Sequence, residues 1–176
     1  AMTTNAFKDI EKLETDLWQA ADGIELILHR QRVEVVGSVI RFDEFVAVPE
    51  ALDDLPRVGV RFTLPADLDR LRWFGPGPLD SYADRRAMSV QTYASNVDDT
   101  YVDFVVPQEH GHHVDTRWFE LANRAGDRSI AIRSDRPFGF NVSRFSVEQL
   151  TAASHARELV PEDRVHVHID AAAWRL

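Results

Sequence analysis

No cysteine occurs in the 176 residues. Disulfide frameworks, thiolate nucleophiles and cysteine-built zinc sites are therefore excluded, and the composition suits a reducing compartment. The opening "AMTTNAFKDI" also lacks the apolar core of a signal peptide, so the expected location is the cytoplasm. No apolar run approaches the roughly 18 residues of a membrane helix. Basic residues are the scarcer charge, 20 Lys and Arg against 29 Asp and Glu, for a net charge of −9. A field of that sign repels phosphate backbones and the arginines form no patch, so nucleic acid is not an expected partner. Internal repeats and low-complexity tracts are missing. So are helices alternating with strands, which excludes a βαβ barrel or a Rossmann sheet.

What is present is mostly strand pattern. "GIELILHRQRVEVVGSVIRFDEFVAV" is rich in Val, Ile and Phe, and "RVGVRFTLP" alternates, with Val58, Val60 and Phe62 on one face and Arg57, Gly59 and Arg61 on the other. A period of two argues an antiparallel sheet with one wet face. "RLRWFG", "YVDFVVPQ", "RWFELAN" and "RVHVHID" extend the strand reading. "DRSIAIRSDRPFGFNVSRFS" predicts a hairpin, with Ile130 and Ile132 before the turn "SDRP" and Phe138 and Phe140 after it. One helix is expected near residues 146–160. Ser146 and Gln149 make its capping box, Pro161 marks its end, and Val147, Leu150, Ala153 or Ser154 and Arg157 fall on one packing side. The expected fold is all-β, a large antiparallel β-sandwich carrying that helix. The length suits one domain. Ala1-Met2 reads as a cloning remnant, so the natural protein is expected to begin elsewhere.

Two stretches invite chemistry. In "WFGPGPLDSYADRR", residues 73–86, Gly75 and Gly77 permit positive φ while Pro76 and Pro78 stiffen the chain. Asp80, Tyr82, Asp84 and Arg85 then offer hydrogen bonds in a small space. The stretch reads either as a sugar- or partner-facing rim or as a wide connection that Asp84 and Arg85 tie to neighbouring backbone. In "PQEHGHHVDTRW", Glu109, His110, His112 and His113 lie within five residues, and His166 and His168 share one face of the last strand. Imidazoles and a carboxylate are zinc or nickel ligands in principle, but the spacing matches no metal motif, so no side-chain metal site is expected. The alternative is one imidazole on a carbonyl with the others facing water. Asp53-Asp54 and Asp98-Asp99 read as solvated turn pairs rather than the spaced carboxylates of glycoside hydrolysis. Asn141-Val142-Ser143 fits a glycosylation sequon but falls in a strand.

Four blocks in order resemble a known family. They are "WFGPGPLDSYADR", "YVDFVVPQEHGHHVDTRWFEL" with its Arg117-Trp118 pair, "FGFNVSRFSVEQLTAASHARELV" and "VHVHID". Together they are similar to the C-terminal domain, of small-chain type, of the large β-galactosidases of glycoside hydrolase family 2. The resemblance implies the sandwich shared with galactose mutarotases, and a parent several times longer. That parent hydrolyses terminal β-galactosides with retention, using two glutamates on a separate barrel. The barrel is absent here, so no catalytic residue is expected in this chain, which reads as a single truncated domain spanning residues 1–176. Its implied partners are the barrel and the parent's other domains, with galactoside bound only in the full-length context. The parent is expected to use Mg2+ and a monovalent cation. For the latter, the carbonyls of Val106, Pro107, Leu150 and Ala153 are the implied holders. Trp174 comes too early to match the aromatic residue that the family lends to its sugar site. His112 and His113 stand where the family has a small polar and a basic residue.

Three functions follow from these residues. An accessory domain would place Trp73, Asp80, Tyr82, Asp84, Arg85, Glu109, His112, His113, Arg117 and Trp118 at a carbohydrate or inter-domain surface. A stand-alone sugar epimerase would use Glu109 with His112 or His113 for proton transfer. A binding module would stack sugar on Trp73, Tyr82 and Trp118. A domain lacking edge strands is also expected to self-associate as a homo-oligomer.

Overall fold

The computed structural model describes residues 12–21, 25–48, 57–85 and 87–173. Asp53, Asp54 and Trp174 lie outside them. The chain divides into two compact units, Ala1–Leu55 and Pro56–Leu176.

The first unit carries a three-stranded antiparallel sheet in the order β1-β2-β3, formed by β1 (Lys12–Ala21), β2 (Glu25–Val36) and β3 (Val39–Ala47). The Val-rich run of the sequence thus becomes two strands, with Val36 opposite Val39 at a tight turn. Polar pairs line the register: Gln31 faces Glu44 and donates to it at 2.7 Å.

The second unit holds the hydrophobic core and a six-stranded antiparallel sheet ordered β4-β9-β8-β7-β5-β6. Its strands are β4 (Arg57–Pro65), β5 (Arg70–Gly77), β6 (Ser89–Asn96), β7 (His113–Ala122), β8 (Ser129–Ser143) and β9 (Arg164–Ala173). Both units are therefore built on antiparallel sheets and the fold class is all-β, as the period-two runs require. Phe119, Leu121, Phe140, Val142, Val165 and Val167 alternate inward along β7, β8 and β9 and are sealed from solvent. Trp73 joins them from β5.

Four local expectations are corrected. "SDRP" does not reverse the chain: β8 runs unbroken through it, with Arg133 opposite Trp118 and Phe138 opposite Thr116. Four residues of β8 face the single Arg117 there, so the turn-forming side chains make a bulge, all of them exposed. The helix is only six residues, α1 (Val147–Ala152), followed by a separate 3-10 turn at Ala156–Glu158. Ser146 does cap it, accepting from Gln149 N at 3.3 Å. Ala153 is already extended, however, and Ser154 N bonds Glu158 Oε2 at 2.9 Å instead of continuing the helical ladder. No residue of α1 is fully buried, and of the expected packing side only Leu150 and Ala153 are half-buried, while Val147, Ser154 and Arg157 are exposed. "YVDFVVPQ" forms no strand, and Val105 is 88% exposed. Finally, Gly75 and Gly77 are strand residues without positive φ. Their lack of a side chain makes room for Thr116 and for the Tyr93 ring.

Strand β6 carried no hydrophobic signal because it is an edge strand exposed along most of its length. Among the described residues, no helix is long and apolar enough to cross a membrane.

Candidate functional site

The two unusual stretches meet. Ser81 N donates to the His112 carbonyl at 2.6 Å, and Val114 N donates to Ser81 Oγ at 3.0 Å. The 73–86 stretch is thus half strand and half tied connection. Trp73 Nε1 bonds the Pro76 carbonyl at 3.0 Å, and Arg85 Nη2 donates to the Asp80 carbonyl at 2.6 Å and also pairs with its carboxylate. Arg85 therefore performs the tethering role, with Asp80 as its partner, while Asp84 is exposed at the tip of the turn that Tyr82 and Arg85 close. Trp73 is buried among Tyr93, His113 and Phe140, so its ring is not a stacking surface for sugar. Arg117 is exposed and Trp118 half-buried on β7.

The histidines follow the reading of the sequence only in part. Gly111 takes φ +65°, and a Cβ there would come within 2.7 Å of the Thr100 carbonyl, so only glycine makes this turn. The turn drives all three neighbouring imidazoles inward. His110 does find a carbonyl, that of Gln108 at 3.2 Å, and its Nε2 lies 3.3 Å from Ser143 Oγ. His112 and His113, expected to face water, are 1% and 2% exposed. His113 is held between Trp73 and Phe140, with ring centroids at 4.5 and 5.0 Å. His112 lies against the Tyr82 ring at 5.6 Å and occupies the space left by Gly139, where a Cβ would meet its Nε2 at 2.7 Å. Burial is the largest cause that lowers both imidazoles to a pKa of about 4. Nearby positive groups add to it, Arg57 and His168 for His112 and His112 itself for His113. Both are neutral at pH 7.

Around His112 stands a cluster drawn from three segments. Arg57 of β4 donates to Glu109 Oε1 at 2.5 Å, and its Nε lies 3.2 Å from Asp170 Oδ2 of β9. His112 Nδ1 is 3.7 Å from Glu109 Oε1 and 3.6 Å from Asp170 Oδ2. Asp170 is 3% exposed, and burial raises its pKa to about 6 despite the opposing field of Arg57. Burial works against the charge of Arg57, but the bond to Glu109 and the fields of Glu109 and Asp170 outweigh it. Tyr82 is raised to about 12, first by burial and then by Glu109 and Asp80. Replacing Arg57 with methionine is expected to cost about 1–3 kcal/mol at pH 7, because Asp170 loses the cation that keeps its carboxylate charged in a dry site. The exposed Glu109 simply regains water. At pH 5 Asp170 is protonated and the penalty shrinks. Equal losses at both pH values in urea melts would refute this account.

Sequence reasoning found Glu109 and His112 but missed Arg57, which it placed on a wet strand face. Its partners are brought in from distant segments, and no local pattern marks them. Asn141 is 7% exposed and donates through Nδ2 to the His110 carbonyl, a structural rather than a glycosylated asparagine.

As for a monovalent cation, the Leu150 carbonyl is released by the early end of α1, since Ser154 N bonds elsewhere. Leu150 and Ala153 are half-buried, Val106 is exposed and Pro107 buried. Val106 and Pro107 thus occupy unlike environments. Among the described residues no three His, Asp or Glu side chains are gathered to hold a metal.

Comparison with known proteins places these features. The family profile described as "Beta galactosidase small chain" matches residues 14–174. A β-galactosidase of Arthrobacter sp. (strain B7) is 36% identical over 124 residues, covering 66% of this chain and 12% of that protein. A β-galactosidase of Staphylococcus xylosus is 34% identical over 119 residues, covering 67% and 12%. One of Vibrio cholerae is 31% identical over 144 residues, covering 81% and 13%. The matched region is thus only 12–13% of the length of these relatives.

Proposed function

The chain belongs to the β-galactosidase small-chain family, and from that premise we propose that it is the accessory C-terminal domain of a longer, retaining β-galactosidase. In that parent it packs against the catalytic barrel and other domains and completes the wall of the galactoside site. The observation that carries this reading is the family match over residues 14–174 combined with coverage of only 12–13% of the relatives. The state of the acidic groups supports it. Retaining hydrolysis needs two carboxyl groups about 5 Å apart that face the substrate. Here Glu109 is bonded to Arg57, and Asp170 is buried behind the same guanidinium. Surface for the barrel remains in Tyr82, Trp118, Arg117 and the exposed Leu79. A monovalent cation on the released Leu150 carbonyl belongs to the same proposal, as does Mg2+ in the remainder of the parent.

The purified chain is expected to leave a chromogenic β-galactoside untouched, and to restore turnover when added to a parent deleted for this region. Hydrolysis by the chain alone, with host enzyme excluded, would overturn the reading. A second reading, sugar epimerisation, is favoured only by the 3.7 Å approach of Glu109 Oε1 to His112 Nδ1. It requires the chain to speed galactose mutarotation, measured by polarimetry, and an unchanged rate removes it.

A further inference from the structure

The face of β9 that gives Asp170 to the cluster around His112 carries two further histidines. Val165 and Val167 are sealed in the core, so His166 and His168 alternate to the opposite side. Thr63 and Arg61 of β4 stand directly across from them. With Phe62 and Glu148 these side chains line a cleft of about 300 Å3. Residues i and i+2 of a strand are about 6.6 Å apart, a span across which two imidazoles on one face can lean toward a common point.

Neither ring is engaged in an aligned hydrogen bond among the described residues. His166 Nε2 is shielded from solvent, lies 3.2 Å from Glu162 Oε2 and has no aligned hydrogen bond. Glu162 is itself held by Gln149 Nε2 at 2.9 Å. A carboxylate beside one ring nitrogen is the usual outer partner of a metal-binding histidine, because it leaves the other nitrogen with its lone pair. His168 has no hydrogen-bond partner among the described residues. Glu148 overlooks the cleft from the start of α1, 65% exposed and bonded to Arg61 at 2.8 Å. An exposed pair of that kind is worth little and breaks readily.

We propose that His166 and His168 form a binding site for a zinc or nickel ion, completed by Glu148 and water. Imidazole nitrogens select this class of ion over Mg2+ or Ca2+, which take oxygen ligands. Glu148 is not yet gathered with the two rings. The histidines make first contact, and the glutamate closes by turning away from Arg61. The same arginine opposes the ion through its charge, so its removal strengthens the site.

Calorimetric titration of the chain with ZnCl2 and NiCl2, beside MgCl2, tests this. One Zn2+ per chain is expected and no Mg2+. His166→Asn and His168→Asn each weaken binding by more than about tenfold, and the double variant abolishes it. Arg61→Gln tightens binding, whereas His155→Asn, at an exposed position away from the cleft, leaves it unchanged. Absence of Zn2+ binding by the chain, or a double variant that binds as well as the original, overturns the proposal. Ni2+ added to the unaltered chain gives a check that no variant has to fold for. Paramagnetic broadening of imidazole proton signals confined to His166 and His168 supports the site. Broadening centred on His29 or His155, or at no histidine, refutes it.

Discussion

Acidification from pH 7 to pH 4 is expected to remove about 3 kcal/mol of folding stability, and the sign follows from two opposing sets of groups. His112 and His113 are held near pKa 4 in the fold, against an ordinary value of 6.5. The unfolded chain therefore binds more protons than the native one between those values, and stability falls as the pH drops through that window. At 1.36 kcal/mol per unit, each ring contributes about 3 kcal/mol, and burial to 1–2% exposure leaves little solvent to screen it. Asp170 acts in the other direction. Its folded pKa of about 6 exceeds the ordinary 3.8, so the native chain binds the extra proton and gains about 3 kcal/mol as the pH falls from 6 to 4. Two rings outweigh one carboxyl. His110 and His168, also lowered chiefly by burial, add to the loss. Urea midpoints at pH 7, 5.5 and 4.5 should fall in that order, and a flat or rising series would sink the argument. His113→Phe should remove most of the drop, because the one ring left then loses about as much as Asp170 gains; phenylalanine fits between Trp73 and Phe140 but cannot take up a proton.

Phe140→Ala is expected to cost about 3–5 kcal/mol, a large share of the roughly 5–15 kcal/mol available to an ordinary domain. Phe140 is fully buried at the centre of an aromatic array. It stacks on Phe119 at 4.4 Å and 13°, on His113 at 5.0 Å and 22°, and meets Trp73 edge-on at 6.4 Å. Its register partners are His113 on β7 and Ile169 on β9, so the ring sits where three strands converge and no neighbour can collapse into the space. The transition should move down by roughly 10 °C. Phe140→Leu, which keeps most of the volume, should recover much of the loss. A shift of only 2–3 °C for the alanine variant in a thermal melt would mean that the site relaxes and that the array is not the centre of the core.

Much of this architecture could be read along the chain. Val58, Val60 and Phe62 alternate in β4 as their spacing requires, Ser146 caps the short helix, and Asp98 sits solvated in a 3-10 turn. The misreadings are local preferences overridden from outside. Turn chemistry at "SDRP" is worth about 1 kcal/mol or less per residue and yields to pairing with β7, while the helical spacing after Val147 yields to the bond of Ser154 N to Glu158. In the same way, β8 stays a strand because β7 and β9 hold it on either side, while the bulge absorbs Ser134 to Pro137.

The candidate site divides along the same line. Family membership, the all-β class, the absence of thiol chemistry and the clustering of Glu109 with three histidines are properties of the one-dimensional chain, since composition, period and block order are local quantities. Which imidazoles are dry, which carboxylate meets Arg57 and which histidines face a cleft were decided by tertiary structure alone. Burial and charge pairing depend on residues brought together from β4, the Gly111 turn and β9, and no spacing rule connects them. The turn at Gly111 sends His112 and His113 inward, and the pairing of β4 with β9 sets Arg57 over Asp170 and opens the cleft beside His166 and His168.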